Sequence, residues 1–217
     1  MTRAADDPLA LAQAWLDEGE RTRKRNPLAM AIATSTRTGT PSVRMVLLRG
    51  YVPDPGFIVF YTNYGSRKGR ELSANAHAAG VLYWEELGRQ LRIEGPVTRS
   101  PEQESDAYFA TRPQLSQLNA WVSAQSQPIA DLEMLTRASE RKAQELGIGD
   151  PNAAPTARAR IPRPAHWGGF RLWVQSIEFW TEGTHRFHER AVYTRTLERG
   201  DGDRFSGSEW THVRLQP

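Results

Sequence analysis

The stretch from Leu28 to Asn63, LAMAIATSTRTGTPSVRMVLLRGYVPDPGFIVFYTN, constrains the fold of this chain more than any other. It reads as three strands divided by two short turns, one at Thr38-Gly39-Thr40 and one at Pro53-Asp54-Pro55-Gly56. A parallel crossover needs a dozen or more residues, so connections this short make the strands antiparallel neighbours. SRKGRELSANA then predicts a helix of about two turns, and AAGVLYWEEL with RQLRIEGPVTRS predicts another hairpin.

The remaining segments fit around that sheet. Leu9, Leu11, Ala12, Trp15 and Leu16 recur at helical intervals between Asp7 and Arg25, with Pro8 at the first turn and Asn26-Pro27 ending the run. SPEQESDAYFATRP predicts a helix opened by a capping box of Ser100 and Gln103. SQLNAWVSAQ and IADLEMLTRASERKAQELG predict two more, the second ending at Gly147. FRLWVQSIEFWTEG, HRFHERAVYTRTLERG and EWTHVRLQP return to strands, with GDGDRFSGSE as a loose hairpin turn. The expected fold is mainly antiparallel β, a barrel or sandwich carrying helices, with no internal repeat. Residues 1–26 form a helical segment packing on the barrel. Residues 27–217 form one domain with a helical insertion at about 100–147 and a long Pro-, Ala- and Gly-rich loop at about 148–167.

Composition excludes several classes of function. The chain has no Cys, so thiolate catalysis and disulfides are absent and redox chemistry needs a cofactor. Its five His are scattered without the spacing of a zinc motif, and no metal site is expected. The 28 Lys and Arg oppose 25 Asp and Glu, and the basic residues alternate with acids, so no continuous stripe for nucleic acid forms. The N-terminus lacks a long apolar core, which predicts neither secretion nor a membrane span and leaves a cytoplasmic protein.

Several clusters are suited to anions. Arg67 and Lys68 follow Ser66 at a strand-to-helix turn, where amides, a hydroxyl and two cations can hold a phosphate or simply decorate the surface. In SVRMVLLRG, alternation puts Arg44 on one face of a largely buried strand with Val46 and Leu48, so it either binds a ligand or pairs with an internal glutamate. Arg49 has the opposite parity. Tyr108, Arg112 and Ser116 share a helix face if the helix continues through Pro113; alternatively Tyr108 packs at a helix edge. In THRFHERAVY, strand alternation would place Arg186, His188 and Arg190 on one side and His185, Phe187 and Glu189 on the other. A solvated edge strand and a ligand wall both explain that pattern. Trp84, Trp167 and Trp180 read as core or interface aromatics, and Gln90, Gln125 and Ser126 suit hydrogen bonding to a heterocycle.

Taken together, RMVLLRG, FYTNYGSRKGREL, YFATRPQLSQLNAWVSAQS and WGGFR running on to IEFWTEGTHRFHER resemble the pyridoxamine/pyridoxine 5'-phosphate oxidase family, over nearly the whole chain. The resemblance implies an FMN-binding split barrel with a Greek-key-like sheet and flanking helices, working as a homodimer with FMN at the interface. It implies a flavin site of Arg44, Met45, Val46, Leu47, Leu48, Arg49, Tyr61, Thr62, Arg67, Lys68, Gln90, Gln125, Ser126, Trp180 and Arg190. The substrate phosphate would be held by Tyr108, Arg112 and Ser116 with Arg49 close by, while Arg186, Phe187 and His188 lie at the pyridine. Arg186 and His188 are then the catalytic pair, as positioning and polarising groups. The implied reaction oxidises a small phosphorylated pyridine with O2 and yields H2O2.

Three departures accompany the match. Arg49 stands where the family usually has Lys, and His188-Glu189-Arg190 replaces the usual His-Asp-Arg. The chain starts almost at DDPLALAQAWL, where longer members carry a segment that covers the substrate, so either the substrate site is more open or the substrate is a different one. The resemblance extends to the phenazine-biosynthesis oxidases, which act on a tricyclic substrate, and a non-catalytic FMN-binding barrel is the remaining alternative.

Overall fold

In the computed structural model, which describes residues 7–148 and 161–217, the chain divides into two compact units. The first comprises the described part of Met1–Phe60 with Glu71–Arg99 and Phe170–Pro217; the second comprises Tyr61–Arg70 and the described part of Ser100–Gly169.

The first unit is built on antiparallel strands, two of which have residues in the second, Tyr61–Asn63 and Trp167–Gly169. In chain order these are β1 (Ala29–Ser35), β2 (Pro41–Leu47), β3 (Gly50–Val52), β4 (Phe57–Asn63), β5 (His77–Trp84), β6 (Arg89–Arg99), β7 (Trp167–Trp173), β8 (Ser176–Thr181), β9 (Glu189–Thr194) and β12 (Thr211–Leu215). A separate hairpin of β10 (Leu197–Arg199) and β11 (Phe205–Gly207) occupies the segment read as a loose turn. The main sheet runs β12-β9-β8-β6-β5-β1-β2, with β7 also on β6, β4 on β7 and β3 on β4. The mainly antiparallel fold expected from the short connections is the one observed.

The 11-residue β6 makes the sheet branch. Arg89 to Glu94 pair with β8, whereas Val97 to Arg99 pair with β7. Gly95 sits at the handover, where a Cβ would lie 1.9 Å from the Trp173 carbonyl oxygen, so only glycine lets the two backbones approach this closely.

Two local expectations are corrected here. The Leu28–Asn63 stretch forms four strands, because the chain changes partner after Leu48: the Leu48 N–H donates to Leu28 O (3.0 Å), and the Arg49 N–H donates to Val59 O (2.8 Å). The strand β2 is not largely buried either. It ends the sheet path, and Val43 and Met45 are 68% and 61% exposed.

Helix α1 (Pro8–Glu20) follows from a local signal: Asp7 caps it by accepting the Leu9 N–H (2.8 Å), with Pro8 in the first turn. Its buried Leu9, Trp15 and Leu16 side chains each contribute about 1.5–3 kcal/mol on leaving water. Trp15 meets Phe179 edge to face at 5.0 Å, and the Tyr51 hydroxyl donates to Leu9 O (2.7 Å). Burial, and then the charge of Asp7, push the Tyr51 hydroxyl above its ordinary pKa, so it stays a donor.

The second unit carries α3 (Glu102–Thr111), α4 (Gln114–Val122) and α5 (Glu133–Glu145) around a core of Phe109, Leu118, Ala120, Ala143, Ile148, Ile161 and Trp167. Gly147 is left-handed just past α5, as expected of a helix stop. The capping box is not formed: α3 starts after Pro101, while the Ser100 N–H donates to Gly169 O (2.9 Å) and its hydroxyl reaches Glu104 at 3.4 Å. Helix α2 (Arg67–Ala74) begins in the second unit. The loop expected at about 148–167 lies mostly outside the described residues. No helix among the described residues is long and apolar enough to cross a membrane.

Candidate functional site

In the second unit, the turn between β4 and α2 is closed by its own side chains. Asn63 Oδ1 accepts the Gly65 N–H (2.7 Å), and Ser66 Oγ accepts the Gly69 N–H (3.3 Å) in the helix's first turn. A Cβ on Gly69 would lie 2.2 Å from Tyr64 O, so the tightness of the turn depends on that glycine.

The adjacent cations have separate fates. Arg67 is exposed, whereas Lys68 is 6% exposed and donates to Thr62 Oγ1 (2.9 Å), Gln125 Oε1 (3.2 Å) and Ser66 Oγ (3.4 Å). The Thr62 hydroxyl donates in turn to Gln125 Oε1 (3.0 Å). Thr62, Lys68 and Gln125, far apart in sequence, are thus in direct contact, and Ser126 follows with a left-handed backbone, φ 71°. A buried ammonium in the first turn of a helix, surrounded by hydroxyls and amides, has the chemistry of a phosphate site.

The same unit stacks aromatic rings. Tyr61 lies 3.9 Å from Tyr108 and 5.5 Å from Trp167, all nearly parallel, and the Arg112 guanidinium lies 4.5 Å over Trp167. The continuous helix face through Tyr108, Arg112 and Ser116 is not present. Arg112 is extended, with ψ 150°, because Pro113 disfavours the helical conformation before it, and α4 starts afresh at Gln114. Gln117, which sequence reasoning missed, donates through Nε2 to the carbonyls of Phe109 (3.0 Å), Ala110 (3.3 Å) and Arg112 (2.9 Å), satisfying the end of α3.

In the first unit, Arg44 realises the ion-pair alternative. It donates to Thr34 Oγ1 (2.6 Å), to Ser42 Oγ, and to Glu71 Oε2 at 3.2 Å. Glu71 is buried and also accepts from the Thr34 (2.5 Å) and Ser42 (2.6 Å) hydroxyls. Of the neighbouring residues, Met45 and Arg49 are exposed, Val46 and Leu47 are half-buried and Leu48 is buried.

Gln90, Trp180 and Arg190, separated by up to a hundred residues, form one row across three strands. Gln90 is the register partner of Trp180 on β8, and Trp180 that of Arg190 on β9. Residues directly opposite share a face, so an amide, an indole and a guanidinium stand side by side. The His188 ring lies 4.5 Å from that of Trp180.

Residues 184–188 do not continue the strand, which corrects the expected alternation. Thr184 to Arg186 form a 3-10 turn with left-handed His185 (φ 52°) and Arg186 (φ 67°), and β9 starts only at Glu189. Left-handed backbone at two non-glycine residues is conformational strain, a feature that concentrates at ligand-binding sites. Phe187 is 75% exposed on this turn.

Glu178, also missed from sequence, holds Arg190 in place. Its carboxylate accepts from Arg190 Nε (2.7 Å) and Arg92 NH1 (2.9 Å), and Arg92 also pairs with Glu94 (2.8 Å). That hydrogen bond raises the pKa of Arg190 above its ordinary value. Glu178→Gln removes the charge that two guanidiniums share. With both cations partly open to water, we expect a stability loss of about 1–2 kcal/mol, read as a lower urea midpoint at unchanged m-value. Among the described residues no three His, Asp or Glu gather to hold a metal ion.

The comparisons with known proteins agree with one another. The family model described as pyridoxamine 5'-phosphate oxidase matches residues 16–144, and the model described as the pyridoxine 5'-phosphate oxidase C-terminal dimerisation region matches residues 167–217. A pyridoxine/pyridoxamine 5'-phosphate oxidase of Gluconobacter oxydans is 44% identical over 211 residues, covering 97% of this chain and 94% of its own. Another, from Rubrobacter xylanophilus, is 45% identical over 217 residues, 99% of this chain and 88% of its own. Among solved structures, PhzG from Burkholderia lata 383 in complex with tetrahydrophenazine-1-carboxylic acid matches with TM-score 0.79 and 31% identity, covering 99% of this chain and 94% of its own. A pyridoxamine 5'-phosphate oxidase-related, FMN-binding protein from Nostoc punctiforme matches in fold, with TM-score 0.70 at 17% identity over 97% of each chain.

Proposed function

Because this chain belongs to the pyridoxamine 5'-phosphate oxidase family, an FMN-binding split-barrel family, we propose that it oxidises pyridoxamine 5'-phosphate or pyridoxine 5'-phosphate to pyridoxal 5'-phosphate, with FMN as cofactor. The structural observation that carries the reading furthest is the row of Gln90, Trp180 and Arg190 with His188 against the indole. An amide and a guanidinium beside an aromatic ring suit a flat heterocycle with polar edges. The Lys68, Ser66, Thr62 and Gln125 set has the chemistry to hold a cofactor phosphate.

Bound FMN supplies the two-electron chemistry: a hydride equivalent leaves C4' of the substrate, and the pair of electrons finally reduces O2 to H2O2. With the amine substrate, water then replaces the nitrogen, giving aldehyde and ammonia. The chain's own work is alignment, because the donor carbon must come within roughly 3–3.5 Å of its acceptor. Lys68 neutralises cofactor phosphate from inside the turn, and Arg67 adds charge from its exposed edge. Arg44 contributes through a guanidinium already partly neutralised by Glu71, so its share of the phosphate charge is the smaller one. The backbone of Met45, Val46, Leu47 and Leu48, with Tyr61 and Ser126, completes the cofactor set. Arg112, carried on the face of Trp167, binds substrate phosphate with Tyr108, Ser116 and Arg49, while Arg186, Phe187 and His188 meet the pyridine.

In this reading the chain works as a homodimer with FMN at the interface. The match to a C-terminal dimerisation region supports it, as do the exposed apolar side chains of Val213 and Leu215 on β12 and of Val43 and Met45 on β2. The likeness to the phenazine protein favours a second reading, oxidation of a reduced tricyclic carboxylate.

Anaerobic mixing of FMN-loaded protein with pyridoxamine 5'-phosphate tests the choice. We expect rapid loss of the flavin's visible absorbance, restored on admitting air. Bleaching by a reduced phenazine carboxylate but not by saturating pyridoxamine 5'-phosphate would establish the second reading instead.

A further inference from the structure

Gly183 stands just before the strained turn that carries Arg186 and His188. Its own backbone is ordinary extended chain, φ −121° and ψ 155°, so no left-handed conformation calls for glycine there. Space does. A Cβ at this position would lie 1.8 Å from Phe187 O, 2.6 Å from Phe187 C and 3.3 Å from His188 N. Any side chain would therefore open the 184–188 turn.

The close approach brings one further contact. The Gly183 N–H reaches His188 Nδ1 at 3.2 Å. A backbone amide can only donate, so Nδ1 must be the unprotonated, accepting nitrogen of a neutral imidazole, and the ring proton belongs to Nε2. Trp180 lies against the ring at 4.5 Å, with 37° between planes, and limits its rotation. The imidazole is thus fixed in both orientation and tautomer, by one amide and one indole.

We infer that Gly183 is a positioning residue that locks His188 as its Nε2–H tautomer, so that His188 meets the substrate as a hydrogen-bond donor and not as the base that takes a proton. The group facing it on the pyridine is then an acceptor, such as a ring hydroxyl in its deprotonated form. The role at the substrate rests on the function proposed above; the tautomer does not.

The test uses FMN-loaded protein carrying 15N-labelled histidine, with His188 assigned by loss of its signals in His188→Gln. Long-range proton–nitrogen correlation is expected to show the wild-type His188 as a single Nε2–H species, its Nδ1 shifted far into the unprotonated range. In Gly183→Ala the two nitrogens should move toward the averaged values of mixed tautomers, and kcat/KM for pyridoxamine 5'-phosphate should fall about tenfold, within the range one hydrogen bond contributes. A wild-type His188 protonated at Nδ1, or present as a mixture, would overturn the inference even if the variant failed to fold. So would a folded Gly183→Ala protein with mixed tautomers and unchanged kcat/KM. A wild type with the stated tautomer but no oxidation of pyridoxamine 5'-phosphate would support the lock and count against the substrate reading alone.

Discussion

Lys68→Ala should raise the FMN dissociation constant about 100-fold, whereas Arg67→Ala should raise it only about threefold. The difference comes from burial. Lys68 is 6% exposed and its ammonium donates to three side-chain oxygens in the β4–α2 turn, while Arg67 points toward solvent. Truncating one partner of a buried charged contact costs about 2–5 kcal/mol, against about 0.2–1 kcal/mol for an exposed ion pair. Quenching of flavin fluorescence on titration with apoprotein measures both constants directly. Removing Lys68 also deprives Thr62 and Gln125 of a donor, so the urea midpoint of Lys68→Ala, measured without flavin, separates lost binding from a loosened turn. Equal effects of the Arg67 and Lys68 substitutions would mean that the phosphate sits on the outer side of the turn and that burial of Lys68 serves the fold alone.

That contrast marks how far the chain could be read without coordinates. Adjacent cations after Ser66 announce an anion site, yet a helix turns about 100° per residue, and which of two neighbours faces inward depends on how α2 packs. The antiparallel sheet was legible because short gaps admit no other pairing. The change of partner at Leu48–Arg49 was not, since no turn residue separates the two and only the positions of β1 and β4 decide it. Register was hidden in the same way. Gln90, Trp180 and Arg190 look unrelated in sequence and become neighbours once β6, β8 and β9 align. Glu178 alternates with Ile177 and Phe179 in SIEFWT, which puts it on the face of Ser176 and Trp180, and its two arginine partners follow only from that alignment. The strand alternation assumed through Arg186 and His188 failed because left-handed residues leave no mark in sequence when they are His and Arg rather than Gly.

The substrate phosphate gives the second large effect. Arg112→Ala is expected to raise the KM for pyridoxamine 5'-phosphate about 100-fold, the loss of about 3 kcal/mol when a charged fork making two hydrogen bonds to phosphate is removed. Because phosphate is bound alike in the ground and transition states, kcat should stay within about twofold. Arg112→Lys keeps the charge but loses both the planar fork and the stacking on Trp167, and should fall between the two. Arg112 also helps cover Phe109 and Trp167 in the core of its unit, so a higher KM alone could reflect a loosened helix pair. The ratio of kcat/KM for the phosphorylated amine to that for unphosphorylated pyridoxamine separates the causes. Loss of a phosphate contact lowers only the numerator and drives the ratio down about 100-fold, whereas a loosened core lowers both terms and leaves it standing. An unchanged ratio would move the substrate phosphate away from Arg112 and leave this cation as part of the aromatic stack.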